Sequence, residues 1–270
     1  MNILIEIIKA IILGIIQGIT EWLPISSTGH LILFEQIMPF GDAKFFELFK
    51  VIIQFGSILA VCILYFNRLN PLTKRKNEVQ KKATWDLWLK IIIGCIPGGI
   101  AGVFLDDIIE DILSGVVVIA IALIFYGIIF IIIENRKRLP KYTKLEELDY
   151  KTAFGIGCFQ MLALVPGTSR SGSTIIGATI LGCSRSVASE FSFFLAVPMM
   201  AGASLLKLIK IGLNFSGLQI AMLLIGTLVS FIVSIFAIRF LLNYIRKHDF
   251  KIFGYYRIVL GIIILLLMFI

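Results

Sequence analysis

Charged residues are scarce in this chain. They account for 16% of its 270 residues, while hydrophobic residues account for 59%. Soluble domains average about 25% charged and about 45–50% apolar residues. Because a soluble fold of this size cannot bury so much apolar surface, the composition excludes a soluble enzyme, a secreted scaffold and a disordered protein.

The usual patterns of metal and disulfide sites are missing as well. The chain has four cysteines and two histidines. The cysteines are scattered through apolar stretches, at Cys62, Cys95, Cys158 and Cys183. Without a Cys-x-x-Cys pair or a Cys/His cluster, neither a structural zinc nor a disulfide framework is supported. The net charge of +8 does not indicate a nucleic-acid partner, because no basic run is interleaved with aromatic residues.

Long apolar segments, in contrast, are abundant. A membrane-spanning helix needs about 20 such residues to cross a hydrocarbon core of about 30 Å. Six segments meet this need: about 48–66, 87–105, 112–133, 187–209, 217–240 and 253–270. The sequence therefore predicts an all-α integral membrane protein with six transmembrane helices.

Two further apolar stretches, residues 3–37 and 153–183, are interrupted by polar residues, glycine and proline. Lipid does not tolerate such a break, but a broken helix is stable where it is buried in protein or lines a wet cavity. We therefore predict that each stretch is a re-entrant helical hairpin, which dips to the midplane and returns to the same side.

The two stretches also resemble each other. Three residues of the first half have counterparts in the second, at offsets of 142, 142 and 143: Pro24 with Pro166, Ser27 with Ser169, and Glu47 with Glu190. Each copy contains one hairpin, which returns to its own side, and three crossings. Because three is odd, the second copy enters the membrane from the opposite face. The sequence thus predicts one membrane domain, 1–270, built from inverted repeats of about 1–133 and 153–270 with a basic linker, 134–152.

Basic residues orient this topology. If the N-terminus and the first hairpin share one side, the loops 67–86, 134–152 and 239–252 fall on the other, with six, six and four basic residues. The first side receives the acidic residues Asp106, Asp107, Glu110 and Asp111, and only the lysines Lys44, Lys50, Lys207 and Lys210. The positive-inside rule then places the basic loops in the cytoplasm and both termini outside.

Ionisable residues within membrane segments are costly and are functional candidates by default. Glu21, His30 and Arg170 all lie in the predicted hairpins. Glu21 and Arg170 are either a buried ion pair that holds the hairpins together or part of a site. The tips of the two hairpins, which enter from opposite faces, can meet near the midplane.

The residues around these groups favour a phosphate site. Gln17 shares a helix face with Glu21, four residues away. Small and hydroxylated residues follow Pro24 and Pro166, where helix N-termini offer free amides to an anion. They are Ser26, Ser27 and Thr28 in the first stretch, and Ser169, Ser171 and Thr174 around Arg170 in the second. The Arg170 guanidinium is a rigid fork that matches phosphate.

Hydrolysis would need a nucleophile and proton transfer in addition. Ser27 is the candidate nucleophile, Glu21 the adjacent base, and His30 a further acid or base on the same helical face. Structural interpretations stay open for several of these residues. His30 can be a buried, hydrogen-bonded histidine, Ser26 and Thr28 can be helix caps, and Glu47 and Glu190 suit helix N-termini.

At these residues the sequence resembles the undecaprenyl-diphosphatases, the bacitracin-resistance phosphatases of bacteria. The first family motif, Glu/Gln-x-x-x-Glu followed by Pro-x-Ser-Ser-x-Gly-His, is matched by GIIQGITEWLPISSTGH. The second, Pro-Gly-x-Ser-Arg-Ser-x-x-Thr, is matched by PGTSRSGST. Similarity extends through GCFQMLALVPG and ASEFSFFLAVPMM and covers essentially the whole chain.

The resemblance implies hydrolysis of a C55 polyprenyl diphosphate, the cell-wall lipid carrier, at a site that opens outward from the bacterial cell membrane. It implies catalytic roles for Glu21, Ser27, His30 and Arg170, and diphosphate binding by Arg170 with Ser169, Ser171 and Thr174. It also implies a divalent cation, Mg²⁺ or Ca²⁺, with Glu21 as its ligand. Gln17 stands where some members have Glu, which puts a two-carboxylate metal site in doubt.

Other functions are compatible with the same architecture. Inverted repeats with broken helices are typical of transporters, so a polyprenyl-phosphate or anion carrier is the alternative. A purely structural membrane subunit is the third interpretation. The residues do not fix the oligomeric state, although small-residue helix faces permit a homodimer.

Overall fold

A computed structural model describes residues 3–113, 115–136, 139–211 and 215–268, without the side chains of residues 106, 107, 110 and 211. The described chain is helical apart from turns and loops, with one isolated β-bridge between Tyr142 and Cys183. The helices are α1 Ile3–Thr20, α2 Ser27–Ile37, α3 Ala43–Leu64, α4 Phe66–Leu69, α5 Glu78–Leu113, α6 Val116–Asn135, α7 Tyr150–Gln160, α8 Arg170–Ile180, α9 Arg185–Ile211, α10 Gly217–Ile245 and α11 Lys251–Leu267. Short 3₁₀ turns occupy Leu145–Glu147 and Met161–Leu164.

Six described helices are long and apolar enough to cross a membrane, as the sequence predicts for a multi-pass protein. They are α1, α3, Glu78–Leu105 of α5, α6, Arg185–Lys210 of α9, and α10. The membership differs in two places. Helix α1, which we assigned to a hairpin, qualifies with 18 residues, while α11 has 17 described residues and falls just short. The predicted crossing 253–270 ends at residues 269 and 270, outside the described residues.

Helix α5 is longer than its apolar segment. It runs through Leu113, so the acidic residues that we expected in a connection between two crossings belong to its last turns. The side chains of Asp106, Asp107 and Glu110 lie outside the description. Backbone hydrogen bonding continues a helix beyond the point where hydropathy falls, which is why apolar length underestimates it.

Both predicted breaks are present, and they share an unusual backbone. Ser26 precedes α2 and Ser169 precedes α8, each with φ of 74°. They are the only non-glycine residues with positive φ among those described. Their hydroxyls accept hydrogen bonds from the amides of Gly29 and Gly172. Our alignment of Ser27 with Ser169 is therefore wrong by one residue: Ser26 holds the equivalent position, because the second loop has one more residue between proline and serine.

The helices pack in pairs through close backbone approach. Helix α1 packs on α10 and α7 packs on α5. A Cβ atom at Gly14 would lie 2.7 Å from the Gly226 carbonyl oxygen, and one at Gly157 would lie 2.2 Å from that of Gly94. Only glycine permits this approach, so these positions set how closely the broken helices lie against the intact ones.

Helices α3 and α9 also pack together, with an ion pair at each end of the contact. Glu47 near the start of α3 lies 3.9 Å from the Lys207 ammonium near the end of α9. Glu190 near the start of α9 lies 2.8 Å from the guanidinium of Arg68, in α4 just beyond the end of α3. Both glutamates thus serve packing, in agreement with the structural interpretation of their helix-start positions.

The basic segment between the predicted repeats folds back onto the helices. The amides of Lys141 and Tyr142 donate to the Gly182 carbonyl, and the Tyr142 hydroxyl donates to Asp149 at 2.6 Å. Asp149 also caps α7 by accepting from the Thr152 amide. The Tyr142 hydroxyl, followed by the Thr152 amide, lowers the pKa of Asp149 to about 2. Residues 137 and 138 of this segment lie outside the described residues.

We predict that Gly157→Ala lowers the free energy of unfolding by about 1–3 kcal/mol, the usual range for overpacking, because its Cβ would lie 2.2 Å from the Gly94 carbonyl oxygen. Gly102→Ala, on α5, is the matched control, since no atom lies within 4 Å of its Cβ. Thermal unfolding in detergent measures both. Equal midpoints for the two variants would contradict the close approach of α7 and α5.

Candidate active site

The two broken stretches meet at a buried charge pair. Glu21 lies in the turn that follows α1, and Arg170 is the first residue of α8. The Arg170 guanidinium donates through Nη2 to Glu21 Oε1 at 3.1 Å and through Nη1 to the Ser192 carbonyl at 2.9 Å. The side chains of Arg170 and Glu21 are 13% and 6% exposed. Residues 149 positions apart in the chain are thereby joined.

Glu21 is the hub of this cluster. Its Oε2 accepts from the Ser27 hydroxyl at 2.8 Å and from the Gln17 side-chain amide at 3.0 Å. Every one of these contacts is between side chains buried or nearly buried in the protein. The structure thus places the candidate nucleophile, its candidate base and the candidate phosphate ligand in one chain of contacts: Ser27, Glu21, Arg170.

Two helix N-termini flank the cluster. Helices α2 and α8 have 11 residues each and begin at Ser27 and Arg170. In the described part of the chain, the backbone amides of Ser27 and Thr28, and likewise of Arg170 and Ser171, have no acceptor. Such amides and the helix dipole favour an anion. Ser26 is a cap here, as our structural interpretation has it.

The hydroxyls around Arg170 are engaged with the protein. Ser171 donates to the Glu21 carbonyl at 3.0 Å and lies 3.2 Å from the Ser169 hydroxyl. Thr174 is fully buried and forms a 2.7 Å hydrogen bond with Ser192 of α9. In this arrangement Ser171 ties the second loop to the first, and Thr174 ties α8 to α9.

His30 lies beside the cluster but is not hydrogen-bonded to Ser27. Its Nδ1 is 2.7 Å from the Ser26 carbonyl, and its Nε2 is 2.7 Å from the Tyr256 hydroxyl. A carbonyl only accepts, so Nδ1 carries the proton and, in the neutral ring, Nε2 accepts from Tyr256. The Ser27 hydroxyl therefore donates its hydrogen bond to Glu21 and not to His30.

Sequence reasoning missed two neighbours from α11, Tyr256 and Arg257. Arg257 is 0% exposed and, among the residues that the structure describes, donates only to backbone carbonyls. A signal was present, because an arginine inside an apolar segment is a functional candidate. Trp22 was missed too; it is fully buried, and its ring centroid lies 5.8 Å from the Arg170 guanidinium carbon.

Three buried polar atoms of the cluster have no hydrogen-bond partner among the described residues: Gln17 Oε1, Trp22 Nε1 and Arg170 Nε. One acceptor and two donors are thus available to a ligand beside Glu21. Burial makes an unpaired polar atom costly. Ligand oxygen atoms would satisfy the two donors, and a donor group or a cation would satisfy Gln17 Oε1.

Comparison with known proteins identifies the family of this chain. A family model described as "Bacitracin resistance protein BacA" matches residues 10–263. Undecaprenyl-diphosphatase 1 of Clostridioides difficile is 57% identical over 263 residues, which cover 97% of this chain and 96% of that protein. The undecaprenyl-diphosphatase of Latilactobacillus sakei is 53% identical over 270 residues, 98% of each chain, and that of Enterococcus faecalis is 52% identical over 263 residues, 95% of each.

The matched region contains both loops, the charge pair and most of α11. Identity above 50% along nearly the whole length leaves no part of the site outside the similarity. This chain belongs to the BacA bacitracin resistance family.

Proposed function

We propose that the protein hydrolyses undecaprenyl diphosphate to undecaprenyl phosphate and inorganic phosphate. The observation that carries this proposal is the chain of contacts from Ser27 through Glu21 to Arg170, between two helix N-termini with free amides. The relatives named undecaprenyl-diphosphatase support it. The reaction returns the lipid carrier to cell-wall synthesis and removes the diphosphate form that bacitracin binds, in keeping with the family's name.

In the proposed chemistry, Glu21 Oε2 takes the proton of the Ser27 hydroxyl, 2.8 Å away. Ser27 Oγ then forms a bond to the terminal phosphorus, the bridging P–O bond breaks, and undecaprenyl phosphate leaves. The protonated Glu21 gives its proton to the departing phosphate oxygen. It then takes a proton from the water that attacks the phosphoserine and returns that proton to Ser27 Oγ as inorganic phosphate leaves. An activated serine of this kind divides one difficult displacement into two easier ones.

Arg170 and the amides stabilise the charge that develops during this displacement. Arg170 Nε is unpaired among the described residues, and a guanidinium binds phosphate oxygens through parallel N–H donors. The amides at the start of α2 and α8 add fixed partial positive charge from two directions. Donors held in place before the reaction stabilise a transition state without reorganisation.

Glu21 and Gln17 both carry side-chain oxygen atoms of the kind that bind a divalent cation. Gln17 Oε1 is a buried oxygen without a partner in the described part of the chain, four residues from the carboxylate of Glu21. Mg²⁺ is commonly held by one or two carboxylates together with substrate phosphates, and Ca²⁺ takes carboxylate and amide oxygens. We propose that Glu21 and Gln17 hold such an ion together with the diphosphate, where it would neutralise phosphate charge.

The Ser27–Glu21 contact also favours hydrolysis over transport. A carrier needs the anion-binding amides and Arg170, but it has no use for a buried hydroxyl that donates to a carboxylate. The 2.8 Å contact is therefore a feature that the phosphatase explains and the carrier does not.

We further propose that α1–α2 and α7–α8 are re-entrant hairpins of two inverted repeats, about 1–133 and 153–270. Paired packing supports this: α1 on α10 corresponds to α7 on α5. The α3–α9 contact has a glutamate at the start of each helix and a cation near the end of the other. Ser26 and Ser169 occupy the same backbone state in the two copies.

The same scheme orients the protein in the bacterial cell membrane. Loops rich in lysine and arginine follow α3, α6 and α10, and the positive-inside rule assigns them to the cytoplasm. Both termini and the opening of the site then face outward. Such an opening would admit lipid diphosphate from the outer leaflet.

We predict that purified protein in detergent releases phosphate from undecaprenyl diphosphate, and that Arg170→Ala lowers the rate by about 10³-fold or more, as loss of an arginine in phosphoryl transfer does. Glu21→Ala should nearly abolish phosphate release, because it removes the proposed base for Ser27. A phosphate assay with and without Mg²⁺ or Ca²⁺ measures the rates, and Arg75→Ala, an exposed loop residue, is the control.

A folded wild-type protein that binds the lipid without releasing phosphate would overturn the enzyme in favour of the carrier. Unchanged rates in the Arg170→Ala or Glu21→Ala protein would refute the assigned roles. Release that does not depend on any divalent cation would refute the cation proposal alone.

A separate prediction concerns Ser27. Ser27→Ala should lower the rate by about 10³-fold or more, as removal of a nucleophile does in other hydrolases. Ser216→Ala, which removes an exposed cap of α10, should leave it unchanged. Mass spectrometry of acid-quenched wild-type protein should detect a phosphorylated Ser27 peptide. A Ser27→Ala protein with near-normal turnover would mean that water or His30 attacks instead.

A further inference from the structure

Arg257 is fully buried in α11 and joins three separate segments of the chain. Its Nη1 donates to the Pro24 carbonyl at 3.1 Å, and its Nη2 donates to the carbonyls of Gly167 and Thr168 at 2.9 Å each. Its Nε lies 3.4 Å from the Leu123 carbonyl of α6. One side chain thus contacts the backbone of both broken stretches.

These carbonyls lie just before the two strained serines. Pro24 is two residues before Ser26, and Thr168 directly precedes Ser169. A positive φ at a non-glycine residue costs of order 1–3 kcal/mol and persists only where surrounding contacts enforce it. Arg257 provides such contacts on both sides, at the points where each backbone turns to present its free amides.

The residue type matters for this arrangement. A guanidinium has five donors in a rigid plane, whereas a lysine ammonium is a single flexible point. Only the fork can reach carbonyls in two loops and in α6 at once. In the described part of the chain Arg257 pairs with no carboxylate. Backbone dipoles and the ring of Tyr126, whose centroid lies 5.7 Å from the guanidinium carbon, therefore offset its charge, beside a site for an anion.

We propose that Arg257 is a positioning residue, which holds the loops 21–26 and 161–169 in the relative placement that makes Ser27, Glu21 and Arg170 one site. The role rests on the proposed phosphatase activity. It does not require Arg257 to touch the substrate. A displacement of about 1 Å in catalytic groups can cost about 10²-fold in rate.

Arg257→Lys tests the proposal, because it keeps the charge and removes the fork. We expect kcat per folded molecule, measured well below the unfolding midpoint, to fall by about 10²-fold. Arg170→Lys should then cost less in the Arg257→Lys protein than in wild type, because the loops are already misplaced. Arg239→Lys, an exposed arginine of α10, is the matched control.

A merely structural role predicts a lower unfolding midpoint with kcat per folded molecule unchanged, and that result would overturn the proposal. So would a rise in KM alone, which would assign Arg257 to uniform attraction of the anion.

If the Arg257→Lys protein does not fold, Gly167→Ala replaces it. This change shifts the loop carbonyls from the other side, since Gly167 has φ of 90° and its Cβ would lie 2.7 Å from the Ile119 carbonyl oxygen. Normal kcat in that variant would equally overturn the proposal.

Failure of the phosphatase itself is distinguishable. In that case the wild-type and Arg239→Lys proteins bind undecaprenyl diphosphate without releasing phosphate. The role of Arg257 is then measured by binding of that lipid, for which Arg257→Lys should raise Kd at least about tenfold through misplaced donors. An unchanged Kd would contradict the role.

Discussion

Polar backbone inside an apolar shell has to be paired, and at two places in this chain the helix does not do so. Between α1 and α2 the backbone leaves helical geometry among mostly buried residues, and between α7 and α8 it does so at a segment of which Gly167 and Thr168 are buried. In a membrane such breaks are stable only when other groups of the protein satisfy them. Several interior groups supply this pairing, namely the caps Ser26 and Ser169, the Ser171 hydroxyl on the Glu21 carbonyl, and the Arg257 fork.

The amides that remain unpaired in the described part of the chain are those to which we assign phosphate binding. They belong to the first turns of α2 and α8, whose first residues, Ser27 and Arg170, both contact Glu21 through their side chains. Stability and function therefore have opposite requirements at the same loops. The loop carbonyls that Arg257 and Ser171 reach are paired, which stabilises the breaks, while the N–H groups and Arg170 Nε have no partner among the described residues and are the donors that we propose for an anion. The scaffold that enforces this is closely packed, because α1 and α7 lie against α10 and α5 at glycine positions.

Much of this site could be predicted from the sequence, because its signals are local. Polar residues inside apolar stretches located both breaks, and the rarity of buried charges identified Glu21 and Arg170. The register of the proposed repeat was less accessible, since identical letters aligned Ser27 with Ser169, whereas it is Ser26 that shares the backbone conformation of Ser169. The contacts of His30 and Thr174 depend on distant helices, and no spacing in the sequence specifies Tyr256 or Ser192 as their partners. Arg257 was recognisable as a charge in an apolar segment, but its carbonyl partners are set by the fold alone.

In the mechanism that we propose, groups from two distant parts of the chain act as one catalytic unit. A double-mutant cycle between Glu21→Gln and Arg170→Lys, read by single-turnover phosphate release from undecaprenyl diphosphate, tests it most directly. Residues that act as a unit are strongly non-additive, so the double variant should be no slower than the slower single variant. Losses that multiply would show that Glu21 and Arg170 act independently, and would contradict the account.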